Sequence, residues 1–295
     1  MSPAVTLLET RGLLQISGTD TRSFLQGLMT TDINKASETR ALHGALLTPQ
    51  GKYLHDFFVA QMGDCVYLEG EKARLADLKK RLLLYKLRAD ITITDVTEEF
   101  QVYALFGEGT LAALKLGTEE GRARIFKGGC LYVDPRLAAA GARAILPIGA
   151  APDFEGFAAV DFDKYDRFRI GLGLPDGSRD LVPEKSVLLD YGFDELNGID
   201  WKKGCYVGQE VTARMKHRGL SRKRLLPVTL TGGSPAPGTL VQLGDRDVGT
   251  LTSVCGNIGL ALLQLDAVEK AAQESQVLQA GVAQLTPTPP SWLRL

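Results

Sequence analysis

Cys205 follows Lys202, Lys203 and Gly204 and precedes, across Tyr206, Val207 and Gly208, a short segment of helical character, Gln209 to Arg218. A thiol beside ammonium groups and just ahead of a helix N-terminus ionises easily, because positive charge and the helix dipole both stabilise the anion. A thiolate so placed suits a nucleophile, a metal or sulfur ligand, or an anion pocket. Gly204 and Gly208 are read as keeping side chains away from the sulfur. The helix is legible from its ends. Glu210 falls in the first turn, Lys216, His217 and Arg218 in the last, and Gly219 is placed to cap it. Glu210 and Arg214, four apart, can pair on one face, while Val211 and Met215 share another.

The other thiols lack this setting. Cys65 and Cys255 lie in strand-like runs and read as buried spectators. Cys130 is an internal control: "KGGCLYVDPR" repeats the order Lys, Gly, Cys but runs on into an apolar strand with no helix start behind it. The four cysteines form no CxxC, and with three histidines no zinc site is expected, nor are disulfides.

The elements that must hold Cys205 read as α+β. A strand pair is expected from Leu7 to Ser17 around Gly12, then a helix capped by Asp20 or Thr21. Three strands follow, with turns at Pro49 to Gly51 and at Gly63-Asp64, and then a long amphipathic helix from Glu71 to Leu87 with Leu75, Leu78, Leu82 and Leu83 on one side. A further unit runs from Phe100 to about Gly149. After Arg218, strands recur at close intervals between Gly/Pro turns, which predicts a small β-barrel or sandwich beginning near Leu220 or Ser221. The expected division is therefore 1–220, with a second lobe inserted at about 46–145, and 221–295, ending in an extended strap "LTPTPPSWLRL".

Composition narrows the function classes. The 295 residues carry a formal net charge of −1 with 44% hydrophobic content, so no global field draws the chain to nucleic acid or membrane, and such binding would need a local patch. The first residues lack a secretory signal, and no apolar run approaches the ~20 residues of a membrane span. The expectation is a cytoplasmic monomer with no membrane partner. "GLGLPDG" does not match a dinucleotide fingerprint, and no P-loop is present.

"KGCYVGQE" matches the K-G-C-[YF]-x-G-Q-E signature of YgfZ-type folate-binding proteins, and the chain resembles that family along nearly its whole length. "ISGTDTRSFLQGLMTTDI", "GKYLHDFFV", "YKLRADITITD", "FRIGLGLPDG" with "LVPEKS", and "DVGTLTS" each look like family segments. The family is in turn similar to the aminomethyltransferase (T-protein) of the glycine cleavage system. The resemblance implies a three-lobed T-protein-like fold with a C-terminal β-barrel and a site for tetrahydrofolate or a derivative. It also implies a role in making or maintaining iron–sulfur clusters in client enzymes, among them enzymes that modify tRNA. Lys203, Gly204, Cys205, Tyr206, Gly208, Gln209 and Glu210 match the signature, and Cys205 and Lys203 are the implied reactive pair. Glu184 falls where T-proteins grip the pterin; a carboxylate there can accept from its amino and ring N–H groups. Tyr165 and Arg11 fall near aromatic positions of the folate site, and Arg11 departs from that pattern. Arg169 is a candidate for a folate carboxylate, Asp56 for a folate contact, and Arg214, in the cationic run, for the glutamate tail or an acidic partner. T-proteins carry adjacent acids where this chain has His55-Asp56-Phe57, which weakens aminomethyl transfer.

The reading is then a folate-binding accessory factor for iron–sulfur proteins, in which Cys205 handles iron, a persulfide or a one-carbon unit. The alternative is a folate-dependent one-carbon transferase using His55 and Asp56. An RNA-binding module is disfavoured, since no aromatics interleave with the cationic run. Expected partners are reduced folate and iron–sulfur client or assembly proteins.

Overall fold

The computed structural model describes residues 1–150, 154–219 and 221–294. The chain forms two compact units, one of Met1–Pro49, Leu54–Tyr165 and Leu196–Gln209, the other of Gln50–Tyr53, Asp166–Glu195 and Glu210–Leu295. The barrel start expected near Leu220 falls on a residue outside those described.

The first unit is built on two antiparallel sheets. Its strands are β1 (Ala4–Leu7), β2 (Arg11–Ser17), β3 (Leu42–Leu47), β4 (Tyr53–Met62), β5 (Cys65–Glu71), β6 (Thr92–Asp95), β7 (Phe100–Phe106), β8 (Ala123–Phe126), β9 (Gly129–Val133), β10 (Ala142–Pro147) and β11 (Ala158–Ala159). One sheet runs β3-β4-β5-β2-β6 and the other β11-β1-β7-β10-β9-β8, with β11 added in parallel to β1. Gly12 lies inside β2 and is no turn; the expected strand pair is broken instead at Glu9-Thr10. Both turns expected between β3, β4 and β5 are present.

Period-two alternation gives the five-stranded sheet two unlike faces. Leu14, Ile16, Phe57, Val59, Val66 and Leu68 face an apolar core completed by helices α1 (Thr21–Gln26) and α2 (Leu75–Lys86). Arg11, Asp56, Phe58 and Glu69 occupy the other register, all buried. Leu75, Leu78 and Leu82 seat α2 as predicted, but Leu83 is exposed. Asp20 stands at the α1 N-cap position without bonding the helix; its carboxylate accepts from the Asp90 N–H instead.

In the second unit six strands close a barrel in the order β12-β15-β14-β13-β16-β17. They are β12 (Lys223–Thr231), β13 (Leu240–Leu243), β14 (Arg246–Cys255), β15 (Ile258–Gln264), β16 (Leu278–Ala280) and β17 (Ala283–Pro287). Leu285 to Pro287 of the expected strap thus belong to β17, which closes the barrel, and the Trp292 indole N–H donates to the Leu172 carbonyl at 2.8 Å. Counting the short helix Thr110–Ala113 as α3, α4 (Phe162–Gly171), α5 (Gly177–Asp180) and α6 (Gln209–Arg218) precede the barrel and α7 (Leu265–Gln273) interrupts it. No helix among the described residues is long and apolar enough to cross a membrane.

Candidate functional site

The residues nominated above divide between the units. Cys205, Lys203, Tyr206, Gln209, Asp56 and Tyr165 belong to the first; Glu184, Arg169, Glu210 and Arg214 belong to the second.

The loop carrying Cys205 is pinned from beneath. Lys203 is buried, and its Nζ donates to the carbonyls of Gln26 (2.8 Å), Thr31 (3.0 Å) and Met29. An ammonium has three N–H bonds, and three carbonyls take them. Burial draws this amine down to about 8, against the opposing pull of Asp32 and Asp200. Lys203 is thereby reassigned: its charge is committed to backbone carbonyls, so its place in the motif is to fix the loop. Further ties bring the Asp200 N–H to the Thr30 carbonyl and the Val207 N–H to the Gly27 carbonyl. The Val207 side chain packs on the α1–α2 core. Tyr206 is buried with its ring 5.1 Å from Lys203 Nζ, and burial lifts its phenol to about 12. That hydroxyl has no hydrogen-bond partner among the described residues.

On this base Cys205 is exposed, whereas Cys65 and Cys255 are half-buried and Cys130 is buried; all four are free thiols. A Cβ at Gly204 would meet open space, so crowding does not require glycine there. Gly208, at φ +84°, does require it, and this turn leads straight into α6. The helix has the predicted bounds and ends. Glu210 and Arg214 pair at 2.6 Å, both exposed, and Gly219 closes the helix at φ +58°. Lys216 pairs with Asp194.

Glu184 occupies a turn at φ +64°, with its N–H on the Tyr53 carbonyl at 2.7 Å and its side chain exposed. A non-glycine residue held there carries strain, a condition found at ligand sites more often than elsewhere. Arg169, expected at a folate carboxylate, is corrected by its surroundings. It is almost wholly buried and donates to Asp166 (2.7 Å), Asp180 (2.8 Å), the Leu174 carbonyl (3.0 Å) and Ser253 (2.8 Å). With four donors spent inside the protein, it is a strut tying α4 and α5 to β14.

Between the two sheets of the first unit lies an ionic cluster that the sequence reading missed. Glu69 accepts from Arg11 at 2.8 Å, from Tyr132 at 2.7 Å, and from Arg143 through two nitrogens, one at 3.0 Å. Burial alone would raise its carboxyl, but Arg143 and Arg11 outweigh burial and hold it below the ordinary range. Arg136 grips Asp134 bidentately, at 3.0 and 2.8 Å. The guanidinium carbons of Arg143, Arg136 and Arg11 lie 4.1, 4.9 and 5.7 Å from the centre of the Phe58 ring.

Two nominated residues join this cluster. The Tyr165 hydroxyl accepts from Arg143 at 3.3 Å, its ring edge-on to Phe106, and Asp56 lies 3.6 Å from His43 Nε2. Burial lowers His43, with Asp56 opposing, so the imidazole is neutral. His55 turns to the opposite face of β4, where it meets Asp77 at 2.8 Å and burial lowers it to about 4. Successive strand residues point oppositely, so the proposed acid–base pair of His55 and Asp56 is corrected: the two side chains do not share a site. The signal for the cluster was available as single charges set in largely apolar strands, Glu69 in β5 and Arg143 in β10 among them, but it names no partners.

Comparison with known proteins follows this geometry. The structure superposes on glycine cleavage system aminomethyltransferase T from Bartonella henselae with a TM-score of 0.75 over 99% of this chain and 86% of that one, at 13% identity. The fold is therefore that of the T-protein class, α+β with a C-terminal barrel. Residues 222–295 match the family described as the C-terminal β-barrel domain of CAF17. The mitochondrial iron–sulfur cluster assembly factor IBA57 of Homo sapiens is 31% identical over 307 residues, 95% of this chain and 85% of its own length. Its Mus musculus counterpart is 29% identical, over 97% and 84%. The chain belongs to the IBA57 family of iron–sulfur cluster assembly factors. The cytoplasmic expectation is corrected, because these relatives are mitochondrial proteins.

Proposed function

We propose that this protein supports the assembly or maintenance of iron–sulfur clusters in client enzymes, working through Cys205 and a bound reduced folate. The observation that carries the reading is the contrast among its thiols: Cys205 alone is exposed, on a loop fixed by a caged ammonium. A thiol presented on a rigid base can meet a soft metal or a sulfur donor without first ordering the chain. Family membership supports the iron–sulfur part.

The folate part rests on Glu184 and on the T-protein fold. An exposed carboxylate on a strained turn fits the donor edge of a pterin, with two acceptor oxygens for amino and ring N–H groups. Reduced folate, when bound, would supply a one-carbon carrier; Glu184 would orient it. The transferase alternative loses its acid–base pair with the separation of His55 and Asp56.

The test is complementation in cells lacking the gene, with several iron–sulfur enzymes assayed. The intact protein should restore them and Cys205→Ser should not; restoration by Cys205→Ser would refute the thiol role. Separately, tetrahydrofolate should raise the melting temperature, as any ligand specific to the native state does. Glu184→Gly should remove that rise while stabilising the unliganded protein by relaxing the turn. An unmoved melting curve at saturating folate would refute the folate site.

A further inference from the structure

The C-terminal end of α2 presents a surface that the site above does not use. Leu83, Leu84, Tyr85 and Leu87 are all exposed, Leu84 at 69% and Leu87 at 89%. Four large apolar side chains within five residues form an outward knob at the end of a helix whose Leu75, Leu78 and Leu82 are fully engaged with the core. Leu87 sits at the helix end with φ +43° and ψ −108°, a backbone that glycine would adopt without strain. The most exposed leucine among the described residues is thus held in an unfavourable conformation.

From Lys79 to Arg88 every charged residue is basic: Lys79, Lys80, Arg81, Lys86 and Arg88, in a protein whose overall charge is −1. Arg81 pairs with Asp77 at 2.7 Å, while Lys79, Lys80, Lys86 and Arg88 form no ion pair among the described residues. The neighbouring Asp90 is engaged, its carboxylate accepting from the Thr19 hydroxyl at 2.9 Å.

We propose that this knob is a peripheral docking surface for an anionic lipid bilayer. Leucines and a tyrosine ringed by lysine and arginine have the chemistry of interfacial insertion: apolar groups enter the headgroup layer and the cations meet lipid phosphates. The ten residues from Lys79 to Arg88 include no acidic side chain, and Asp77 and Asp90 border them on either side. A second copy of the chain is a poor occupant, since two such rims would repel. An acidic protein with an apolar recess is the competing occupant.

The experiment is vesicle co-sedimentation of the full chain, using phosphatidylcholine alone and phosphatidylcholine mixed with phosphatidylglycerol, at low and high salt. Binding is expected only to the mixed vesicles and is lost at high salt. Lys80→Gln and Arg88→Gln should each weaken it about fivefold, and Leu84→Ser about tenfold or more. Leu87→Gly gives a control that a folding defect cannot mimic: it should raise the melting temperature and weaken vesicle binding together. Equal binding to uncharged vesicles, binding indifferent to these variants, or no binding at low salt would overturn the proposal. If the wild type ignores vesicles while Leu84→Ser abolishes iron–sulfur activity with the fold intact, the surface docks a protein and the lipid assignment is wrong.

Discussion

Two stretches of this chain spell nearly the same tripeptide and fold to opposite ends. In "KGGC" the lysine and first glycine, Lys127 at φ +49° and Gly128 at φ +79°, form the tight turn joining β8 to β9, and their paired positive φ values match the twist of a two-residue hairpin. Gly129 then passes so close to β10 that a Cβ would lie 1.9 Å from the Ile145 carbonyl oxygen. Cys130 follows inside the strand, buried, its thiol pushed up to about 12 by burial and then by the charge of Glu69. In "KGC" the lysine is swallowed and the cysteine is left outside. Lys203 spends its charge on three carbonyls, and Cys205 stands exposed above it. Where the ammonium goes decides where the thiol goes. A turn lysine in solvent leaves its cysteine to the sheet; a caged lysine anchors a loop that holds its cysteine outside.

Variants at the lysines would break the comparison most sharply. Lys203→Met should leave three buried carbonyls unpaired and cost about 3–5 kcal/mol, read as a fall in denaturant midpoint. Lys127→Met should move stability by no more than about 0.5 kcal/mol, since Lys127 is exposed. Equal effects would dissolve the distinction.

Acid tests the sheet whose apolar core supports the Cys205 loop. His55 is lowered to about 4 in the folded protein. Between about pH 6.5 and 4 the unfolded chain takes up a proton that the native state declines, so stability falls as pH drops through that window and is level above it. The loss should approach about 3 kcal/mol. His55→Gln, which can still donate to Asp77, should reduce the slope, leaving that of His43 and, below about pH 5, that of carboxylates held low such as Glu69.

Exchanging sulfur for oxygen separates the two cysteines at smaller cost. Cys130→Ser would bury a hydroxyl beside the Ile145 backbone that the thiol already meets, and should cost about 1–2 kcal/mol. Cys205→Ser should stay within about 0.5 kcal/mol. Matched melting temperatures for the two variants would mean that Cys130 is less confined than its position in β9 indicates.

How much of this was legible beforehand follows the range of the interactions. Helix α6 was readable to the residue, because its caps and its Glu210–Arg214 pair are local. The barrel was readable from turn spacing. The Glu69 cluster was not, because Arg11 and Arg143 lie 58 and 74 residues from Glu69, and alternation reports a face without naming what crosses it. Arg169 looked available for a ligand because none of its partners beyond α4 could be seen, Ser253 being 84 residues away. Lys203 was read as a counter-ion for the same reason: its acceptors are backbone carbonyls near residue 30, and carbonyls leave no mark in a sequence. Leu83 followed the helical stripe and still faces outward, because the leucines that α2 buries are Leu75, Leu78 and Leu82.

The central claim is that Cys205 is presented and Cys130 withheld. Native protein at neutral pH would be treated with iodoacetamide and the four thiols followed by peptide mass analysis. Cys205 should label first and Cys130 last. Cys130 should stay unlabelled even at about pH 9, where a thiol near 12 is ionised in only about one molecule in a thousand. Cys205 that labels only after denaturation, in step with Cys130, would contradict the account.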